Sequence, residues 1–423
     1  MMRRLGSLGG LAGLALVLAC SAPASAPPAR SASASTASAM AYLRGALVPW
    51  PSSDSSARLA LTDPESRRVA TYDSALMVLV LIRNGSREEA ASVIEGLAGL
   101  QRPDGSLPFS FELPRPDERV AYVRSGAVAW VGYAAAEYLD SDRRGPARDR
   151  ALALARGAAD YLIGRQVLQP GDPRDGLVRG GEGTYRYDVD ARGRLREVLE
   201  AEDIAWTSVE HNVDTFFFLR ALARVTGEAR YASAAARIAA GLARTWSGAR
   251  GQLARGVDTT GADDVSALDC ASWGSVFLGA SGDRERAETS AAIADAAFAS
   301  CDPRSSARGH RFQRRGPLVE GEVLLRVLGP KLPARDWADL DAVWPEGSAG
   351  VALAAWRVGR ADRARIILDE LEPLRSPDGS LPTFTVDIPF VFDTKPSIAG
   401  TAWVELVRFE LRRSPDRPTF WAP

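Results

Sequence analysis

Between residues 72 and 413 the chain alternates two kinds of helix-periodic segment, and this alternation constrains the fold more than any other feature. Segments at about 72–83, 124–139, 206–225, 266–280, 344–358 and 397–413 are apolar nearly all round. A helix with that profile is buried on most sides. Segments at about 86–101, 146–164, 228–246, 283–300 and 360–375 carry Arg, Glu and Asp on one face, as a solvent-facing amphipathic helix does. A buried helix followed by an exposed one thus repeats every roughly 50–70 residues. Six buried helices need six exposed partners. Five follow directly, and the sixth is expected at about 36–48, closing a ring against 397–413; the segment at 318–328 competes for that role. The expected fold is all-α, an (α/α)6 toroid of alternating inner and outer helices around a central well.

The connections sharpen this. Buried-to-exposed links are short, as at Asn84-Gly85, Gly282-Asp283 and Gly359. The return links are long, about 20–40 residues, and loops of that length usually have a function. A ring of hairpins places all links of one kind on one face. The loops near 101–123, 165–205, 247–265, 301–343 and 376–396 are therefore expected together, around the N-termini of the inner helices. Those termini offer unsatisfied N–H groups and positive dipole ends to a polar ligand. Two of the loops share Pro-Asp-Gly-Ser-Leu-Pro, at 103–108 and 377–382, which is turn chemistry and reads as matching helix stops. The stretch Tyr185 to Leu199 alternates as a β-hairpin turning at Asp190 to Gly193.

The N-terminus sets the compartment. Arg3 and Arg4 precede an apolar run from Leu5 to Leu18, too short and glycine-rich for a good spanning helix, so residues 1–19 read as a signal peptide. Val17-Leu18-Ala19-Cys20 resembles the lipobox of bacterial lipoproteins, with Leu18 where a smaller residue is usual. That resemblance implies lipidation of Cys20, and Ser21 after it implies an exported protein held at the outer membrane or in the periplasm. Residues 20–38 are nearly all Ser, Ala and Pro and form a tether with no apolar payload. Residues 39–423 are the toroid domain. A net charge of −1 gives no footprint for nucleic acid. Beyond Cys20 there are two cysteines, Cys270 and Cys301, which are able to pair in an oxidising compartment. Without a CxxC spacing, and with His211 and His310 as the only histidines, no common zinc site is expected. No cofactor is expected either.

Polar and aromatic residues gather where the inner helices start. Tyr72 and Asp73 open the first, Arg124 and Ser125 the second with Trp130 behind. Trp206, Thr207 and Ser208 open the third, which then carries Glu210, His211, Asn212 and Asp214. Asp269 and Trp273 mark the fourth, Trp344, Pro345, Glu346 and Gly347 the fifth, and Lys395, Ser397 and Trp403 the sixth. Asp73, Ser125 and Thr207 also suit helix caps, worth about 1 kcal/mol each, and a Trp on an inner helix also suits the core. The third helix is harder to explain structurally. Thr207, Glu210, His211 and Asp214 share one face of an otherwise apolar helix, and burying such groups unpaired costs several kcal/mol.

The ring of hairpins, the Tyr72-Asp73 start, the Glu210-His211-Asn212-x-Asp214 stretch, the Trp344-Pro345-Glu346-Gly347 start and the Ala402-Trp403 helix resemble the six-hairpin glycosidase superfamily over nearly the whole mature chain. The resemblance implies the fold more strongly than the reaction. It points to a glycoside hydrolase acting on an extracytoplasmic poly- or oligosaccharide, with catalytic candidates Glu346, Glu210, Asp214 and Asp73. His211, Asn212, Tyr72, Arg124, Trp206, Asp269, Trp273, Trp344 and Trp403 are the candidates for substrate binding. In such a reaction one carboxylic acid protonates the leaving oxygen while a second carboxylate activates water or attacks directly. Carboxylates on different walls suggest a separation of about 6.5–9.5 Å and an inverting outcome. Two alternatives stand beside it, a polysaccharide lyase using His211 and Tyr72 and a non-catalytic glycan-binding surface protein. Terpene-cyclase toroids share the Pro-Asp-Gly turns, but an exported lipoprotein has little access to isoprenoid diphosphates. The expected partners are a carbohydrate and, through the lipid, a membrane, with the chain a monomer.

Overall fold

The computed structural model describes residues 32–50, 56–113, 122–141, 144–414 and 419–422. The signal peptide, the lipobox with Cys20 and most of the tether lie outside the described residues. In chain order the helices are α1 (Ala32–Gly45), α2 (Thr71–Arg83), α3 (Arg87–Ala98), α4 (Ser125–Ser141), α5 (Arg148–Gly164), α6 (Val209–Thr226) and α7 (Ala229–Arg244). They continue with α8 (Leu268–Ala280), α9 (Arg284–Ala297), α10 (Glu322–Leu328), α11 (Pro345–Arg357), α12 (Ala361–Glu370) and α13 (Ile398–Glu410).

Six of these helices form a closed cycle of contacts. α2 packs on α4, α4 on α6, α6 on α8, α8 on α11, α11 on α13, and α13 returns to α2. Each carries a second helix on its outside: α3 on α2, α5 on α4, α7 on α6, α9 on α8, α12 on α11 and α1 on α13. The burial patterns explain the sorting. In α8 every residue from Leu268 to Leu278 is buried. In α7 only the stripe Tyr231, Ala234, Ala235, Ile238, Gly241 and Leu242 is, at the spacing of one helical face. The sixth outer partner is α1, not the 318–328 region, where α10 is short and buries only Leu324 and Leu328.

The repeated Pro-Asp-Gly-Ser turns show the same correspondence. Asp104 accepts the Ser106 amide at 3.0 Å and hydroxyl at 2.8 Å; Asp378 does the same for Ser380 at 2.9 and 2.8 Å. Gly105 and Gly379 take φ of +86° and +97°. A Cβ on Gly105 would lie 2.0 Å from Gly157 O on α5, and one on Gly379 2.2 Å from the backbone of Ser38 on α1. Each turn therefore pins the next outer helix around the ring, and only glycine fits. The helix-stop reading holds, with a packing reason added.

Small sheets are more numerous than the one expected hairpin. The residue ahead of α2, α6, α8, α11 and α13 is extended in each case. The lead-ins pair with neighbouring loops: Arg68–Ala70 with Ser110–Glu112, Val123–Arg124 with Gly181–Glu182, Thr207–Ser208 with Gly256–Val257, and Pro396–Ser397 with Leu381–Pro382. Ala267 bridges to Gln313, and the Trp344 amide donates to His310 O at 2.9 Å. All five long loops contribute to this belt around the N-terminal ends of the inner helices. The hairpin is longer than expected, Gly181–Val189 against Leu195–Ile204, and turns at Asp190 to Gly193 as expected.

The disulfide between Cys270 and Cys301 does not form. Cys270 is a buried free thiol in the first turn of α8, its Sγ 3.9 Å from Arg255 O. Cys301 ends a strand that leaves α9 and pairs with Arg308–His310. Among the described residues no helix is long and apolar enough to cross a membrane.

Candidate active site

Near the N-terminal ends of α6, α8 and α11 four acids lie within electrostatic reach of one another. Glu210 and Asp214 lie one turn apart on α6, Asp269 opens α8 and Glu346 opens α11. α6 begins at Val209, so Glu210 is a first-turn residue and Asp214 is the deeper one. The two differ in access. Asp214 is 3% exposed and Asp269 4%, while Glu210 and Glu346 retain partial exposure.

Crowding and burial together set the protonation. Glu210 hydrogen-bonds Asp269, and burial followed by the charges of Asp269 and Asp214 pushes Glu210 well above the usual carboxylate range. Asp214 is also pushed well above it, by burial first and then by Asp269, against a hydrogen bond from the Trp130 indole. Burial raises Asp269 too, but the Cys270 amide, 2.6 Å from Oδ1, and the bond with Glu210 favour its charged form. The negative charge of this trio therefore settles on Asp269, with Glu210 holding a proton beside it.

Glu346 is built differently. The Tyr72 hydroxyl donates to its Oε1 at 2.6 Å, and the Trp403 indole N–H donates to the Tyr72 oxygen at 2.7 Å. Burial raises Glu346 to about 7, against the hydrogen bonds from Tyr72 and Trp344 and with help from the charges of Asp73 and Asp269. Burial and the neighbouring Glu346 hold the Tyr72 phenol protonated, so Tyr72 is a donor.

The remaining candidates separate into groups. Asp73 accepts the Thr62 hydroxyl and is raised to about 6 by burial against that bond and the charge of Arg68, and it senses Glu346 only through charge. His211 leans on Gly126 of α4, where a Cβ would meet its ring at 2.3 Å. Burial and the Arg124 charge lower His211 to about 4, leaving a neutral imidazole. Arg124 itself spans carbonyls of Val123, Glu182 and Gly183 and lies 3.6 Å over the Tyr122 ring, anchoring the hairpin to α4. Trp344 stands beside Glu346, whereas Trp206 lies over Gly256 in the loop belt. Trp273 stacks on Trp403 at 5.1 Å and 5°, below the acids.

Asn212 is corrected from a sugar contact to a loop anchor. It is fully buried, accepts the Val178 amide at 2.7 Å and donates to Val178 O and Ser208 O. Both of its amide hydrogens and one Oδ1 lone pair are thus spent on the backbone. Ser125 and Thr207 are not caps of their own helices either; their hydroxyls donate to Arg179 O and to Val257 O, tying the loop belt down. Asp214 Oδ1, His211 Nδ1 and Trp273 Nε1 are buried without a hydrogen-bond partner among the described residues. Such groups need a reason in a native fold, and hydroxyls of a polar ligand would complete them.

Among the loops lies a cavity of about 820 Å³ between the hairpin and the segments around 109–112 and 383–393. Sequence reasoning missed its lining residues. The signal available was Tyr185 and Tyr187, two apart on one face of the hairpin.

No protein-family model matches the sequence, and no curated protein matches it. Among solved structures the chain is similar to a glycosidase, with 13% identity over 92% of this chain and 96% of that one and a TM-score of 0.58. It is similar to a D-mannose isomerase, with 10% identity, 92% and 99% coverage and a TM-score of 0.58. It is also similar to an alpha-amylase from Clostridium perfringens, with 11% identity, 92% and 100% coverage and a TM-score of 0.54. At these identities the likeness shows a shared fold.

Proposed function

We propose that the chain is an (α/α)6 toroid glycoside hydrolase of the six-hairpin glycosidase superfamily, inverting, acting on a carbohydrate outside the cytoplasm. The observation that carries this reading is the contrast between Glu210 and Glu346, one carboxyl sharing a proton with a neighbouring acid and the other fed by two donors. The fold neighbours support it, one being a glycosidase and another a glycosidase in complex with glucose. Glu210 gives its proton to the glycosidic oxygen as the bond to the anomeric carbon breaks. Glu346, ionised, takes a proton from a water that adds to that carbon from the other face. Glu210 ends as carboxylate, Glu346 as acid, and both are reset by solvent. α6 and α11 are separated in the ring by α8, which suits two carboxylates with a water between them.

Proton NMR of the first-formed product tests the stereochemistry. Inversion of the anomeric signal is expected; retention would require a carboxylate as nucleophile. The lyase reading is weaker here, because a phenol that donates to a carboxylate is a poor base and a well of acids disfavours uronates.

Tyr72→Phe removes a donor that favours charged Glu346, so Glu346 should stay protonated to higher pH. The acidic limb of the kcat/KM profile is expected to move upward from about pH 7. An unmoved limb would remove Glu346 as the base. For the anchor, Cys20→Ala is expected to shift the protein from the membrane fraction to the soluble one, and a variant still bound to membranes would refute lipidation at Cys20.

A further inference from the structure

The cavity among the loops has a lining that the catalytic proposal does not use. Tyr122, Tyr185 and Tyr187 come from one side of it and Phe390 and Phe392 from the other. Its volume of about 820 Å³ lies within the range of ligand sites, about 300–1,000 Å³. Its lining touches neighbours of the candidate acids at three points. Phe392 packs 5.9 Å from Trp344, which hydrogen-bonds Glu346. Tyr122 lies under Arg124, whose charge reaches His211. Arg68 lines the cavity and acts on Asp73.

The cavity is bridged at one point. Tyr187 of the hairpin meets Phe390 edge-on, with centroids 5.5 Å apart and planes at 76°. Phe390 is 54% exposed and holds φ of +67°, a conformation costly for a bulky side chain. A strained backbone that displays a large apolar ring to solvent is a candidate for ligand contact.

The charges discriminate the ligand. Among the described residues, Glu112, Glu197, Asp387 and Asp393 line the cavity with one cation, Arg68, which also hydrogen-bonds Ser110 at 2.7 Å. Together with the acids of the well, this lining repels carboxylate- or sulfate-bearing chains. Aromatic faces with hydrogen-bonding carboxylates suit the apolar faces and hydroxyls of uncharged sugar rings.

We propose that this cavity is a subsite for the distal units of a neutral oligosaccharide, which lie against the touching Tyr187–Phe390 pair while the chain end reaches the acid well. The substrate class is thus a neutral glycan longer than a disaccharide. This rests on the carbohydrate reading above, but not on hydrolysis.

The test is calorimetric titration of the full chain with neutral gluco- and manno-oligosaccharides, dimers through hexamers, and with oligogalacturonate. The variants are Tyr187→Ala and Phe390→Gly, the latter also relieving the positive φ. Affinity is expected to rise with length for at least one neutral series and not for the uronate. Each variant is expected to lose about tenfold or more for the longer oligomers, a change of roughly 1.4 kcal/mol, with little change for the dimer. Preference for the uronate, absence of binding to either neutral series, or unchanged affinity in both variants would overturn the proposal. Length-dependent binding without turnover would leave the subsite standing and remove the hydrolase reading.

Discussion

Glu346→Gln is expected to lower hydrolysis by about 10²–10⁴-fold, the usual worth of a general base, while making the folded protein more stable above neutral pH. The two effects have one cause. Burial raises Glu346 from its ordinary 4.5 to about 7. The folded state therefore binds this proton more tightly than the unfolded chain does. The stabilisation from that proton is fully present below pH 4.5 and is lost as pH rises through about 7. Above that, the fold carries an ionised carboxylate that burial opposes, at a cost of up to roughly 3 kcal/mol, since each pH unit is about 1.4 kcal/mol. Gln has no charge to desolvate, and its carbonyl still accepts the Tyr72 hydroxyl. Urea denaturation of parent and variant should give similar stabilities near pH 4 and a gain of about 1–3 kcal/mol for the variant at pH 8. A variant that keeps full turnover removes Glu346 from the reaction. A stability difference independent of pH would mean that Glu346 titrates normally in the folded protein.

Much of the ring was legible because its signal is repeated. A helix buried all round cannot be mistaken for a surface helix, and six such segments with short and long links between them leave few arrangements. The boundaries of α2, α8 and α11 fall within about two residues of the periodic segments. The start of α6 lies three residues later than the periodic segment, because Thr207–Ser208 run extended along Gly256–Val257 and two residues are too few to show a strand period. The lead-in strands were invisible for the same reason, being two or three residues long, below any period. At the site, residue type could not distinguish a side chain aimed inward from one aimed at a loop. Glu210 and Asn212 are two residues apart on the same helix, which places them on different faces; one meets Asp269 and the other the backbone at Val178. Compartment and cysteine count likewise could not show that Cys270 stays a free thiol against Arg255 O.

Trp421→Ala is expected to cost about 3–5 kcal/mol, the range for emptying a large aromatic site in a core, although the residue lies almost at the end of the chain. The tail at 419–422 passes into the ring at the ends of the inner helices opposite the loop belt. Trp421 is 1% exposed and stacks on Phe217 at 4.9 Å and 5° and on Phe420 at 5.3 Å and 9°. It meets Trp130, Trp273 and Trp403 as well, so that it forms part of the floor beneath the acids. Its amide donates to the Tyr133 hydroxyl at 2.7 Å, its carbonyl accepts Arg357 at 3.0 Å, and the Thr419 amide donates to Glu410 at 2.9 Å. Terminal residues are poorly ordered unless tied in this way. Trp421→Phe keeps much of the stacking and should recover over half of the loss. The effect should also reach catalysis. Trp403, edge-on to Trp421 at 5.6 Å, donates to Tyr72, and Tyr72 donates to Glu346. In a variant still folded at low temperature, kcat should fall and the acidic limb should drift in the direction given by Tyr72→Phe. A loss under about 1 kcal/mol would show that the tail lies outside the cooperative core. A large loss with an unmoved pH profile would show that it supports the ring without holding the base in place.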